Sequence, residues 1–157
     1  MTEEKQTQQP NLQIMSQYIK DFSFEAPQMP FLLAEMTDAP KIDISIDVNA
    51  KKVDKEKNIF TVDLIVKINA KAKEKTAFIC ELTYGGLVML NIPEEHIQPV
   101  LLIEIPHLLF PYVRAIIANT TREAGLAPLA LQPIDFAALY RSRLDAEAKK
   151  AKKATTN

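Results

Sequence analysis

The side chains best suited to covalent or metal chemistry are one cysteine, Cys80, two histidines, His96 and His107, and a scatter of carboxylates. A zinc centre needs several ligands at fixed spacing, and each histidine stands beside prolines with no such companion. Cys80 falls between Phe78 and Leu82 on an alternating stretch, which reads as a small buried hydrophobe rather than a nucleophile. As the sole cysteine it can form no intrachain disulfide, which suits a reducing compartment. Glu94 and Glu95 are neighbours on an expected turn, a placement for solvation more than for acid–base work. No phosphate-binding glycine loop, GxSxG elbow or HExxH helix occurs. An enzyme is the weakest reading, and neither a metal nor a cofactor is expected. Function must therefore lie in surfaces, and the elements that build them come next.

The 157 residues are expected to form a single domain, with an ordered core over about 12–145, a flexible head at 1–10 and a lysine-rich tail at 146–157. A 47% hydrophobic and 25% charged composition is that of a globular protein rather than a disordered one. A net charge of −1 offers no basic field for nucleic acid. After Asp145, however, Lys149, Lys150, Lys152 and Lys153 face only Glu147, so a basic tail follows an acidic body. MTEEKQTQQP lacks the basic start and apolar run of a signal peptide. VLLIEIPHLLFPYV is interrupted by Glu104, His107 and two prolines, a poor membrane span. A cytoplasmic chain without membrane insertion is expected.

Four stretches alternate with period two and predict strands over Ile14–Glu25, Lys41–Val48, Ile59–Ala70 and Lys75–Tyr84. In the first, Tyr18, Phe22 and Phe24 oppose Gln17, Asp21, Ser23 and Glu25. In the second, Ile42, Ile44, Ile46 and Val48 oppose Asp43, Ser45 and Asp47. Short charged connections join the last three as antiparallel neighbours, and Gly85-Gly86 is expected to end the sheet. Pro93, Pro99 and Pro106 punctuate an irregular segment. A helix then begins with Pro111 in its first turn and stops at Gly125. A second helix starts at the N-cap Asp135 and presents Phe136, Leu139, Tyr140 and Leu144 on one side. The predicted fold is α+β: a four-stranded antiparallel sheet with two C-terminal helices packed on one face.

Three surfaces stand out. Asp21, Glu25, Asp43, Asp47, Asp63 and Glu81 share the strand face away from the large hydrophobes, as on any solvated face. Ile79 beside Glu81 adds an apolar spot ringed by carboxylates, suited to a basic partner. On the first helix Leu108, Leu109, Tyr112, Val113, Ile116 and Ile117 cover more arc than one sheet face can bury. Either the helix is sandwiched within its own fold or copies associate through it, and a symmetric homo-oligomer is the expectation. The connection PQMPFLLAEM, next to Ile42, Ile44 and Ile46, is either tucked into the core or the wall of an adaptable groove.

DFSFEAPQMP, TAFICELTYGGL and HLLFPYVRAIIANTTREAGLAPLALQPIDFAALY together resemble the SecB-type protein-export chaperones of Gram-negative bacteria, from about Ile14 to Leu144. The elements SFEAP, AFxCE and LFPYxR in this order are far more specific than any one of them. The resemblance implies a homotetramer, a dimer of dimers, with the long first helix between the dimers. Its self-association surfaces would hold Cys80, Leu82, Tyr84, Leu109, Tyr112, Val113, Ile116 and Ile117. It implies docking of the SecA motor ATPase on Asp21, Glu25, Ile79 and Glu81, any zinc there belonging to that partner. A groove for unfolded preproteins would be lined by Phe31, Leu32, Ile42, Ile44, Ile46, Phe136, Tyr140 and Leu144. The implied function is to hold preproteins translocation-competent without ATP and pass them to SecA. The lysine-rich tail departs from the polar to acidic tails of that family. A relative serving a toxin–antitoxin system also fits. So does an oligomeric scaffold or adaptor that binds folded partners or an apolar ligand.

Overall fold

A computed structural model describes residues 11–156 of the chain; the expected head at 1–10 lies outside them. Strands β1 (Leu12–Glu25), β2 (Lys41–Asp54), β3 (Ile59–Ala72) and β4 (Lys75–Leu90) form one antiparallel sheet in the order β1-β4-β3-β2. The crossover from β1 to the far edge carries a short helix, α1 (Phe31–Glu35). A near-continuous helical rod follows the sheet: α2 (Glu94–Pro99), a π-helical turn (Val100–Glu104) and α3 (Ile105–Glu123). Helix α4 (Phe136–Ala154) ends the described chain. The architecture is the α+β, four-stranded antiparallel arrangement expected.

The strand register puts Phe60, Val62, Leu64, Val66, Ile68 and Ala70 of β3 across from β4 residues Val88, Gly86, Tyr84, Leu82, Cys80 and Phe78. All are buried, and together they form the floor of the core. Helix α3 lays Ile105, Leu109, Val113 and Ile117 on it, a fully buried row at every fourth residue. Gly85 and Gly86 do not end the sheet, because β4 runs through them to Leu90. Each serves one face instead. A Cβ on Gly86 would stand 3.3 Å from Leu109, so the bare backbone lets α3 approach β4 closely. A Cβ on Gly85 would meet the Tyr18 ring on the opposite face.

Tyr18 is itself a correction. Register shifts between Ile14 and Ser16 and between Ile19 and Asp21 place extra residues in β1, and a bulge flips the faces of the residues beyond it. Tyr18 pairs with Gly85 on the outer face, while Gln17 turns inward and accepts a hydrogen bond from the Tyr84 hydroxyl at 3.2 Å.

The rod begins at Glu94, well before Pro111, and contains Pro99, Pro106 and Pro111 within it. Between the first two prolines the backbone widens: Ile105 N–H reaches back five residues to the Val100 carbonyl. Such a π-turn absorbs a residue that an α-helical ladder broken by proline could not place. Pro111 is exposed, so water can satisfy the carbonyl that its ring leaves without a donor. The stop at Gly125 is as expected: its φ is +81°, and Leu126 N–H closes on the Thr121 carbonyl at 3.1 Å. Asp135 caps α4 by accepting from Ala138 N–H at 2.9 Å. Thr121, the buried polar residue of the core, secures the link between the two helices. Its hydroxyl donates to the Ile117 carbonyl and accepts from Leu129 N–H, each at 2.9 Å. Helix α4 leans on the π-turn and reaches the sheet through Arg143 at β2. The expected tail continues this helix to Ala154, with every side chain after Arg143 exposed.

Candidate functional site

The inner face of β2 carries Ile42, Ile44, Ile46 and Val48, opposite Ala70, Ile68, Val66 and Leu64. Only Val48 is buried, since the helices lie over β3 and β4, and Ile44 remains 41% exposed. Val48 also reveals which way the strand's main chain points. Its N–H donates to Asp47 Oδ1 at 2.8 Å and its carbonyl accepts from Arg143, so neither group serves the ladder to β3. Strand alternation turns the N–H and C=O groups of Ile42, Ile44 and Ile46 toward the same open edge. A long edge of this kind is a template for another extended chain.

Helix α4 faces the upper half of β2. Tyr140 and Leu144 line a cavity of about 340 Å³ with Asn49–Lys52, Phe60 and the α2 end of the rod. At the lower end Leu32 and Met36 line one of about 720 Å³ with Lys41 and the β3–β4 turn. The crossover divides between core and surface. Leu32 is buried at 3% exposure, whereas Phe31 on the same short helix is 74% exposed. Phe136 stands apart from the groove: it is buried, meets the Phe110 ring edge-on, and lines a separate cavity with Ile103 and Leu108. Arg143, which sequence reasoning missed, ties α4 to β2 by bonding Val48 and Asn49 and standing 3.7 Å from Asp47. Its signal was present: it lies one turn beyond Tyr140 on the same helical face.

Among the described residues, no helix packs on the opposite sheet face. The register sets Glu25 across from Ile79, Glu81 across from Ser23, and Asp21 across from Thr83, so Asp21, Glu25, Ile79 and Glu81 form one contiguous patch. Asp43 and Asp47 of β2 extend the same face, with Lys67 directly across from Glu81. Asp63 is occupied by Lys20 at 2.6 Å, and that partner raises the lysine pKa.

A third surface runs along α3. Next to the buried row, Leu108 and Tyr112 are 44% and 49% exposed and Ile116 is partly so. The Tyr112 ring stacks on Tyr84 at 5.9 Å, and beyond Tyr84 the inner face of β1 leaves Ile19 and Phe22 exposed. Of the residues expected to meet other copies, Cys80, Leu82, Leu109, Val113 and Ile117 are enclosed in the protomer's own core. Tyr112 and Ile116 keep uncovered surface, and Tyr84 a narrow rim. Burial, then the neighbouring Glu81, pushes the Cys80 thiol up to about 11, as befits a core side chain.

The model of the family described as preprotein translocase subunit SecB matches residues 5–147. The chain belongs to the SecB family. The protein-export protein SecB of Rhodospirillum rubrum is 48% identical over 85% of this chain and 82% of its own length. That of Paramagnetospirillum magneticum is 52% identical over 85% and 86%. Among solved structures, a Mycobacterium tuberculosis SecB-like chaperone in complex with a peptide from an antitoxin matches with a TM-score of 0.67. At 14% identity, covering 79% of this chain and 91% of the other, it establishes a common fold. As a SecB protein the chain is a preprotein-binding export chaperone.

Proposed function

We propose that this SecB protein is an ATP-independent holding chaperone that grips unfolded preproteins between β2, α4 and the crossover and delivers them to the SecA motor. The observation that carries the reading is the open edge of β2. Apolar side chains and edge-facing main-chain groups lie together there on Ile42, Ile44 and Ile46, short of the Val48 groups held by Asp47 and Arg143. Main-chain pairing binds any extended segment regardless of sequence, and the flanking apolar cavities add side-chain affinity. Both contacts vanish once a client folds, so discrimination against folded proteins needs no catalysis and no cofactor.

The client groove comprises Phe31, Leu32, Ile42, Ile44, Ile46, Tyr140 and Leu144, with Phe136 supporting α4 from within. SecA docks on Asp21, Glu25, Ile79 and Glu81, the face opposite the groove, so a client and the motor can be held at once. The uncovered row of α3 and the inner face of β1 bring copies together as a cytoplasmic homotetramer, a dimer of dimers. Several grooves then act on one client, which multiplies weak contacts into avidity.

The test is suppression of aggregation of a chemically unfolded preprotein, without nucleotide. The wild type suppresses it, and Ile44→Asp with Leu144→Asp, both at exposed positions, loses most of the effect while keeping the far-UV spectrum. A protein that leaves the client to aggregate is instead an adaptor for folded partners.

A further inference from the structure

Lys20, Lys41, Lys51, Lys67 and Lys71 stand among the six carboxylates of the outer sheet face and nearly balance them. The sum over that face is therefore too small to attract a basic partner, and where each cation is held decides the field at any one patch. Lys20 is the critical cation. The bulge between Ile19 and Asp21 puts it next to Asp21, at the margin of the patch formed with Glu25, Ile79 and Glu81. Left free, its ammonium would answer those carboxylates. Instead it reaches past β4 and binds Asp63 Oδ2 at 2.6 Å. Asp63 stands across from Gly85, so the strand in between presents no side chain at that level. Asp63 wins this lysine from Asp21 because it is drier. Its side chain is 14% exposed, and Oδ1 is enclosed without a hydrogen-bond partner among the described residues, whereas Asp21 is open to water. A carboxylate stripped of water attracts a cation more strongly and costs more to leave unpaired.

We infer that Asp63 is a specificity-determining residue for the docking patch although it lies outside it: it holds Lys20 away, so that Asp21, Glu25 and Glu81 stay available around Ile79 to a basic partner. The inference rests on the SecA-docking reading above and adds a positioning residue to it. Asp63 acts through Lys20 and not by touching the partner. Its separation from the patch sets it apart from a simple contributor of charge. At about 3.3 Å per strand residue and about 4.8 Å between strands, Asp63 lies about 14 Å from Glu81, and Asp47 of β2 about 12 Å. Loss of one distant carboxylate would thus weaken docking at least as much from Asp47 as from Asp63.

Titration calorimetry of the full-length protein with SecA at low salt tests this. Asp63→Asn weakens binding about fivefold, the upper size of one exposed ion pair, and Asp47→Asn about twofold or less. Lys20→Gln combined with Asp63→Asn regains the wild-type affinity, a rescue that lost packing at Asp63 would not allow. The differences shrink at high salt. Suppression of client aggregation is the same in every variant, because the groove lies on the other side of the sheet. Unaltered affinity in Asp63→Asn overturns the inference, as does a double variant as weak as the single one, or an equal loss in Asp47→Asn. Should Asp63→Asn not fold, Lys20→Gln alone reads the same competition: affinity at or above wild type supports it, and a loss shows that Lys20 itself serves the partner and overturns it. If the wild type does not bind SecA, the docking assignment itself fails and the inference with it.

Discussion

Replacing Tyr112 by alanine tests whether the exposed row of α3 is where copies of this SecB protein meet. About half of the side chain is uncovered in the protomer, and its other contact is the stacked Tyr84 ring at 5.9 Å. Burying a whole large apolar side chain is worth about 1.5–3 kcal/mol, so the exposed half contributes roughly 0.8–1.5 kcal/mol on association. A two-fold interface loses this twice, about 1.5–3 kcal/mol, which weakens dissociation constants by roughly 10- to 150-fold. Within the protomer the loss is that of one aromatic pair, about 1 kcal/mol. Sedimentation velocity over a dilution series then finds the wild type assembled and Tyr112→Ala dissociating at higher concentration. Tyr112→Asp, which buries a charge at the same place, is monomeric with a native far-UV spectrum. Val113→Asp, one residue along on the fully buried row, unfolds the protomer instead. The reasoning is refuted if the wild type sediments as a monomer at micromolar concentration, or if Tyr112→Asp keeps the wild-type mass.

Glu81→Lys reverses the charge at the centre of the outer patch; client binding is retained and SecA affinity measured by calorimetry is lost, whereas normal SecA affinity removes the docking assignment. Thr121→Val keeps the side-chain volume but strips Leu129 N–H of its acceptor, a cost of about 1–3 kcal/mol in urea unfolding. Thr121→Ser keeps the bond and loses about 1 kcal/mol for the methyl group, so a serine variant weaker than the valine one contradicts the hydrogen-bond account. The Cys80 thiol stays protonated in the fold up to about 11 but ionises near 9 once unfolded. The unfolded state therefore releases its proton first, and stability falls as pH rises between those values. Cys80→Ala flattens that part of the pH–stability profile; an unchanged slope assigns it to other groups.

Much of this fold is local and was legible. The inner and outer faces of β2, β3 and β4 follow from strict alternation, and the bounds of Gly125 and Asp135 follow from backbone chemistry that any neighbour would leave unchanged. The acidic patch was equally readable, because residues two apart on one strand share a face. The two bulges of β1 were not: no residue type there marks them, and they flipped Gln17 and Tyr18. Prolines misled the start of the rod, since the π-turn that accommodates Pro106 exists only with the rod lying against the sheet and α4.

Amphipathic pattern by itself determined that α3 is apolar over too wide an arc, because hydrophobicity repeats along the chain with a period that survives any packing. Which row faced inward was beyond it: Leu109 and Leu108 are the same residue type one position apart. The sheet decided, where Gly86 admits Leu109 closely and no such seat exists for Leu108. The groove is decided the same way. Arg143 and Val48 meet across most of the chain's length, and only the crossover that carries β2 to the far edge brings them together.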